Sequence, residues 1–127
     1  MRPGRDDKIL TSWNALSIRG LADIGQHLDR PDCLAAATRA VDYLHKTHWR
    51  NGRLLATSRD GQAHLNAYLD DYAYLIDALL ALLQSRWDDG DLAFALALAD
   101  VLLEQFEDTE CGGFFFTSSD HEKLIQR

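Results

Sequence analysis

Apolar side chains recur every three or four residues in four stretches of the chain, the spacing of one face of an α-helix. The first stretch covers residues 11–28, and Thr11 or Ser12 is the predicted N-cap. The second begins near Pro31, a residue suited to the first turn of a helix. The predicted inward faces of these two helices consist of Trp13, Leu16, Gly20, Leu21, Ile24 and Leu28, and of Leu34, Ala37, Val41 and Leu44.

The third stretch covers residues 69–84 and is apolar on more than one side, which is typical of a helix buried on several sides. Its predicted inward residues are Tyr72, Leu75, Ile76, Leu79, Leu80 and Leu83. The fourth, residues 92–106, follows an acidic turn whose carboxylates suit a helix N-terminus. Its long apolar surface predicts self-association through apolar helix faces.

Turns that contain glycine follow each of the two pairs of predicted helices. Residues 53–58 and 113–117 read as short β segments, and the turn at Asp60-Gly61 predicts a small hairpin after the first. The order of helix, helix and β segment occurs twice, with a period near sixty residues. In this repeat Asp6-Asp7 matches Asp70-Asp71, and Asn14 matches Asp77. Such repetition is typical of stacked helical hairpins, so we expect an all-α piece of a larger helical toroid.

Composition narrows the class of protein. The 127 residues are 46% hydrophobic, enough for one domain, residues 1–127, with a core. A net charge of −7 argues against nucleic acid as a partner. No apolar run is long enough for a membrane span, and the N-terminus lacks the apolar centre of a signal peptide. Cys33 and Cys111 do not form a CxxC motif and indicate a reducing cytoplasm.

Three strings resemble motifs of a known family, in the order the family has them. They are Asp-Asp-Lys-Ile-Leu-Thr-Ser-Trp-Asn-Ala-Leu from Asp6, Ala-Tyr-Leu-Asp-Asp-Tyr-Ala from Ala67, and Gly-Gly-Phe-Phe-Phe-Thr from Gly112. The family is the thioredoxin-domain-containing, spermatogenesis-associated-protein-20-like group, also called YyaL or DUF255. Its members carry a thioredoxin-like domain followed by a six-hairpin α/α toroid related to N-acylglucosamine 2-epimerases and six-hairpin glycosidases.

The resemblance implies that this chain is an excised portion of such a toroid, with two of the six hairpins and no thioredoxin-like domain. It further implies a carbohydrate-acting or carbohydrate-binding protein, an epimerase, isomerase or glycosidase when intact. The portion alone is expected to be inactive. The alternative is a non-catalytic protein-interaction scaffold that supports the thioredoxin-like domain. Fold analogy is a weak warrant for activity, so the site residues must decide.

Related sugar enzymes bind substrates at the mouth to which the inner helices bring their N-termini. This places Asp7 and Asp71 as candidate catalytic carboxylates, because two carboxylates in one cleft can divide acid and base roles. His64 is a third candidate, since histidine transfers protons near neutral pH. The alternative for an aspartate at a helix N-terminus is capping, and an isolated histidine in a loop is commonly only solvated.

Candidate substrate-binding residues flank the same helix starts. Their aromatic rings could stack on sugars, although aromatic side chains at helical spacing are more often core. The set consists of Trp13, Asn14, Tyr68, Asp70, Tyr72 and His121. The five histidines show no zinc-ligand spacing, so neither a metal nor a cofactor is predicted.

Overall fold

The structure, a computed structural model, describes residues 8–120 and is mostly helical. Helices α1 (Thr11–His27) and α2 (Pro31–Tyr43) form the first hairpin, and α3 (Leu69–Ser85) and α4 (Asp89–Val101) form the second. The four predicted helices are confirmed. α1 packs against both α2 and α3, and α3 packs against α4. The two long helices α1 and α3 therefore form the centre of the described chain.

The two hairpins repeat each other residue for residue. α2 and α4 both run on into π-helical turns, Leu44–His48 and Leu102–Phe106, and each turn leads into a two-residue strand. Every helix and π-helical turn of the second half starts and ends 58 residues after its counterpart. The predicted period is confirmed, but the residue matching is wrong. Asp70 and Asp71 correspond to Ser12 and Trp13, and Asn14 corresponds to Tyr72.

A small antiparallel sheet accompanies the helices, where the sequence predicts an all-α fold with short β-hairpin-like loops. Its central strand β3 (Arg53–Arg59) pairs with β1 (Ile9–Leu10), β2 (Trp49–Arg50) and β4 (Gln62–Asn66). Asp60 and Gly61 join β3 to β4 with positive φ angles of 53° and 77°, as a tight hairpin of this kind requires. The predicted β segments are both present. The second is shorter than expected, because only Gly113–Phe114 (β6) forms a strand. It pairs with β5 (Glu107–Asp108).

The core lies between the helices and the central strand. Its largest fully buried apolar side chains come from α1, the first π-helical turn, β3, α3, α4 and the second π-helical turn. They are Ile18, Leu44, Leu54, Tyr72, Leu75, Leu79, Leu82, Leu98 and Phe106. The predicted inward faces of the second and third helices are confirmed in most positions. Leu80 is an exception, since it is about half exposed.

The predicted inward face of α1 is wrong. Trp13, Leu16, Ile24 and Leu28 are exposed, whereas the buried positions are Thr11, Ala15, Ile18, Ala22 and Gly25. A helix enclosed by two neighbours must present small side chains to them, and Gly25 allows this approach directly. A Cβ at Gly25 would lie 2.6 Å from the Leu34 side chain of α2. Close approach, and not side-chain size, thus decides which side of α1 is buried.

An acidic side chain caps α4, as the acidic turn predicts, but no hydroxyl side chain caps α1. The Asp88 carboxylate caps α4 by accepting a hydrogen bond from the Asp91 backbone amide at 3.0 Å. The N-cap of α1 is Leu10, which offers no side-chain cap, so the expectation of Thr11 or Ser12 is wrong. Thr11 is instead the first residue of the helix and is fully buried.

Self-association remains a prediction. Leu96 on α4 and Leu103 on the turn that follows are both more than half exposed. Within residues 8–120, no helix is long and apolar enough to cross a membrane.

Replacing Leu79 with Asp should destabilise the protein by more than about 4 kcal/mol, because a carboxylate would be buried without a partner. Leu79 is 0% exposed in the core. The control is Asp42→Ala on the exposed side of α2, which should change the free energy of unfolding by less than about 0.5 kcal/mol. Urea titrations of both variants measure the difference, and similar losses would contradict the assigned faces.

Candidate functional site

The N-termini of α1 and α3 meet at one end of the helix pair, and Asp71 connects them. Its carboxylate accepts a hydrogen bond from the Tyr68 backbone amide at 2.9 Å, closing a capping box at the start of α3. The backbone amide of Ser12, in the first turn of α1, also favours the charged form of this carboxylate. One predicted catalytic residue thus joins two helix starts.

Burial raises the pKa of the Asp71 carboxyl, and the negative charge of Asp70 acts in the same direction. The hydrogen bonds from the Tyr68 and Ser12 amides oppose the shift by favouring the carboxylate. Asp71 is only 7% exposed. Its side chain therefore has limited room for a substrate, and the interactions it makes are those of a helix cap.

An exposed pair of aromatic rings lies beside this cap. Tyr68 and Phe116 stack face to face, with ring centroids 4.8 Å apart and an interplanar angle of 11°. The backbone holds them together, because the Leu69 amide donates a hydrogen bond to the Phe116 carbonyl at 2.9 Å. Both rings keep 40% or more of their surface exposed. We call Tyr68 and Phe116 the aromatic platform.

Tyr68 is a predicted site residue, whereas Phe116 is not. The sequence predicts Phe116 only as part of a β segment and a family motif. Its partner lies 48 positions earlier in the chain, so no local spacing connects the two rings. The run of three phenylalanines after two glycines is the available signal, because contiguous exposed apolar surface is typical of a binding site, whereas a single exposed apolar residue is not.

The other predicted residues at this end differ in accessibility. Trp13 is 66% exposed in the first turn of α1, and Asp70 is exposed in the first turn of α3. Asn14 is half-buried and donates from its side-chain amide to the Leu10 carbonyl at 3.0 Å, closing the turn before it. Trp13 and Asp70 are thus free to meet a ligand, while Asn14 is occupied in part by the backbone.

Tyr72 is corrected from a rim residue to a core residue. It is 1% exposed, its hydroxyl accepts a hydrogen bond from the Leu54 amide at 2.9 Å, and its ring packs on Phe106. A ring enclosed in this way has no face left for a sugar. Its position one turn into α3, facing β3, explains the burial.

His64 lies apart from the helix starts. It is exposed on β4 opposite Thr57, and Thr57 pairs on its other side with Leu10. Two strand spacings, about 10 Å, therefore separate the His64 backbone from the entry to α1. Asp7 and His121, the remaining candidates, lie outside the described residues.

A second polar cluster has three fully buried residues, and the sequence does not indicate it. His48 Nδ1 lies 2.6 Å from Thr11 Oγ1, and His48 Nε2 lies 2.7 Å from Ser58 Oγ. The Thr11 hydroxyl donates to the Leu55 carbonyl at 2.6 Å, and Ser58 Oγ is 2.7 Å from the Tyr43 hydroxyl. Thr11, His48 and Ser58 are all 0% exposed. We call these three residues with Tyr43 the buried polar cluster.

Hydrogen-bond direction assigns the protons of this cluster. Because the Thr11 hydroxyl hydrogen goes to Leu55, Thr11 Oγ1 accepts from His48 Nδ1–H. A neutral His48 then accepts at Nε2 from Ser58, which in turn accepts from Tyr43. Burial lowers the pKa of His48, in agreement with a neutral ring. The Ser58–His48 pair resembles a nucleophile with its base, but Ser58 has no surface that a substrate could reach.

Two of the clefts within residues 8–120 are lined by no predicted site residue. One, of about 280 Å³, is lined by residues 107–110 and Phe115. Another, of about 180 Å³, lies between α1 and α3 and is lined by Arg19, Asp23, Asp77, Leu80, Ala81 and Gln84. In residues 8–120, histidine, cysteine and acidic side chains do not form a group that could hold a metal ion. Cys33 and Cys111 are free thiols.

Comparison with known sequences identifies relatives along nearly the whole chain. Spermatogenesis-associated protein 20 of Homo sapiens is 30% identical over 129 residues, which cover 94% of this chain and 16% of that protein. The Rattus norvegicus protein of the same name is 29% identical over 125 residues. The chain is a homologue of one segment of spermatogenesis-associated protein 20. The predicted resemblance to the spermatogenesis-associated-protein-20-like family is therefore confirmed.

This relationship concerns a part of longer proteins. The chain spans about one sixth of the length of the spermatogenesis-associated proteins it matches. Uncharacterized protein B0495.5 of Caenorhabditis elegans is 29% identical over 133 residues, again across 18% of its length. No protein-family model matches the chain.

Solved structures share the fold. Cellobiose 2-epimerase from Spirochaeta thermophila DSM 6192 superposes on 90% of this chain with a TM-score of 0.80 at 18% identity, over 30% of its own length. Cellobiose 2-epimerase from Bacillus thermoamylovorans B4167 gives 0.77 at 13% identity, over 91% of this chain and 34% of its own. A D-mannose isomerase gives 0.64 at 18% identity over 76% of this chain and 26% of its own. At these identities the likeness establishes the fold alone.

The stability of the chain should fall as the pH drops below about 6.5, the ordinary pKa of histidine. His48 has a lowered pKa in the folded protein, so the unfolded chain binds the proton first and the loss continues towards the folded pKa. His48→Gln, which cannot be protonated, should flatten this dependence between pH about 7.5 and 5.5. His27→Gln replaces an exposed histidine and should retain it. Urea titrations across this range measure both, and equal slopes in the two variants would refute the assignment.

Proposed function

We propose that this chain is the part of an α/α toroid that supplies one wall of a carbohydrate-binding site. The aromatic platform at the start of α3 carries the proposal. Two stacked rings that remain partly exposed at the start of α3 present apolar surface, and the C–H face of a pyranose is complementary to such a surface. The fold shared with sugar epimerases and an isomerase supports the same conclusion.

Polar groups around the platform suit the hydroxyl groups of a sugar. Tyr68 brings its own hydroxyl, and Asp70, two residues later, is exposed in the first turn of the same helix. A carboxylate can accept two hydrogen bonds from neighbouring hydroxyls of one ring. Ligand sites of this kind combine an apolar surface with a few placed polar groups. Trp13, on the adjoining helix start, adds a further exposed ring.

The described residues include groups that suit sugar binding, but their candidate acid and base groups are poorly placed for catalysis. Asp71 is buried and engaged as a helix cap, and His64 lies across the sheet from the start of α1. Acid and base groups must both reach the reacting atoms, at hydrogen-bonding distance, for proton transfer. The proposal is therefore binding by this chain, with catalysis requiring groups beyond it.

Phe116→Ala should weaken the binding of cellobiose by about fivefold, because the lost aromatic contact is worth about 1 kcal/mol. Tyr68→Ala should weaken it at least as much, since its hydroxyl is lost as well. The matched control is Trp87→Ala. Trp87 is also an exposed aromatic, 65% accessible, but it lies beyond the C-terminal end of α3, the far end from the platform. Titration followed by NMR chemical shifts measures all three variants.

Two outcomes would reject the platform as the site. One is binding that is lost equally in the Trp87 control, and the other is the absence of any binding of cellobiose or mannose by the unaltered chain. The second result would favour the alternative function, a non-catalytic interaction scaffold. Circular dichroism of each variant establishes that the fold is retained.

The chain alone should not turn over sugars. Catalysis needs a preorganised set of groups supported by their neighbours, and a dry site in which electrostatic stabilisation is strong. Incubation with reducing sugars and aryl glycosides, read for epimer or released aglycone, is the measurement. Turnover that is lost in Asp71→Asn would contradict this expectation and would make Asp71 a catalytic residue.

A further inference from the structure

The Thr57 hydroxyl, in the central strand β3, is buried and lacks a hydrogen bond. Thr57 is 3% exposed, and its Oγ1 atom has no hydrogen-bond partner among residues 8–120. The hydroxyls of Thr11 and of the neighbouring Ser58 each make two such contacts inside the buried polar cluster. An unpaired buried hydroxyl costs free energy, and native proteins contain few of them. Thr57 is therefore an exception that needs a physical reason.

The Thr57 side chain lies on the outer face of the small sheet. Ser58, the next residue, points inward to His48, and successive side chains of a strand point to opposite faces. On the outer face, Thr57 lies between its cross-strand partners, Leu10 of β1 and His64 of β4. The Cβ atoms of such partners are about 5 Å apart. The unpaired hydroxyl is thus the direct neighbour of an exposed histidine.

The backbone beside His64 is strained. Leu65 has a φ of 66°, in the left-handed region that disfavours residues with a Cβ atom. Its side chain is 65% exposed, so burial does not offset this cost. Strain of this kind is common at functional sites. The other non-glycine residues with positive φ within residues 8–120 lie in turns and have the short polar side chains that tolerate it: Asp29, Asn51 and Asp60.

We propose that Thr57 and His64 form a second contact for the carbohydrate ligand, which binds a sugar ring beyond the one on the aromatic platform. The sugar hydroxyl groups give the Thr57 hydroxyl the hydrogen bond that it lacks. A neutral His64 adds one donor and one acceptor nitrogen beside it. The inference rests on the proposed function and specifies its ligand as an oligosaccharide. It depends on an unpaired hydroxyl and a strained backbone inside the hairpin, and not on a face left uncovered at an end of the chain.

The hairpin that carries this contact leads directly to the platform. β4 ends at Asn66, the Ala67 amide donates to the Leu54 carbonyl at 3.0 Å, and Tyr68 of the platform follows. Thr57 lies three residues from Leu54 along β3, which is about 10 Å in an extended strand. A single sugar ring is too small to reach both contacts, whereas an oligosaccharide is long enough. Affinity should therefore depend on the length of the sugar.

Binding of glucose and of cellotetraose, followed by NMR chemical shifts, tests the second contact. The unaltered chain should bind cellotetraose about fivefold more tightly than glucose, because one or two hydrogen bonds are added. Thr57→Val keeps the shape of the side chain without its hydroxyl, and His64→Ala removes the imidazole. Both variants should lose this gain and bind glucose as before. His27→Ala, an exposed histidine at the C-terminal end of α1, is the control that should retain the gain.

The stability of Thr57→Val gives a readout that is independent of sugar. Removing an unpaired hydroxyl should lower the equilibrium constant for unfolding about fivefold in urea titrations. The matched control is Thr38→Val on α2. The Thr38 hydroxyl donates to the Leu34 carbonyl at 2.9 Å, so the same substitution there removes a hydrogen bond and should not stabilise the chain.

The outcomes separate this inference from the proposed function. Weaker glucose binding in Phe116→Ala, together with cellotetraose binding that equals glucose binding or is unchanged in Thr57→Val and His64→Ala, would overturn the second contact and leave the platform in place. Binding of neither sugar by the unaltered chain would reject both. A Thr57→Val variant that is less stable than the unaltered chain would show that the hydroxyl is already satisfied within the protein, which would also overturn the inference. Circular dichroism establishes that each variant is folded.

Discussion

The packing of α1 against α3 is the constraint on which the rest of the structure depends. Ala15 and Ala22 of α1, and Ala78 and Ala81 of α3, are small side chains at buried positions, and they allow the two longest helices to lie close together. Because the helices start at the same end, their first turns share the Asp71 carboxylate. The same packing brings the aromatic platform, at the start of α3, to the end of the helix pair where α1 also starts. It leaves large side chains on the outer sides of the pair.

The two repeats bury different residues at the end of their π-helical turns. In the first, His48 ends the π-helical turn and binds Thr11 and Ser58 through hydrogen bonds. In the second, the corresponding residue is Phe106, which packs its ring against Tyr72. Both residues are 0% exposed. Every polar atom of a buried cluster needs a hydrogen-bond partner, so the cluster fixes the geometry of its side chains more strictly than an aromatic contact does. Because the cluster contains a histidine, its stability also depends on pH, whereas that of the aromatic contact does not.

The sequence predicted most of the fold, because hydrophobic period and glycine punctuation are local signals. Helices, hairpin turns and the repeat were all recoverable in this way. The face of α1 was not, since hydropathy favours burying Trp13 over Ala15 and contains no information on how close a neighbouring helix lies. The residue matching of the repeat failed for a related reason. Acidic pairs are short and frequent, and only the lengths of whole hairpins establish the 58-residue spacing.

The candidate site was predictable where it depends on a helix start and not where it depends on tertiary pairing. Tyr68 and Asp70 belong to the first turn of α3 or its cap, so their place at its mouth follows from the helix pattern. Phe116 reaches the platform through a backbone hydrogen bond to Leu69, which no spacing in the sequence encodes. The Ser58–His48 pair was missed for the same reason, since the two residues meet only when β3 lies against the π-helical turn.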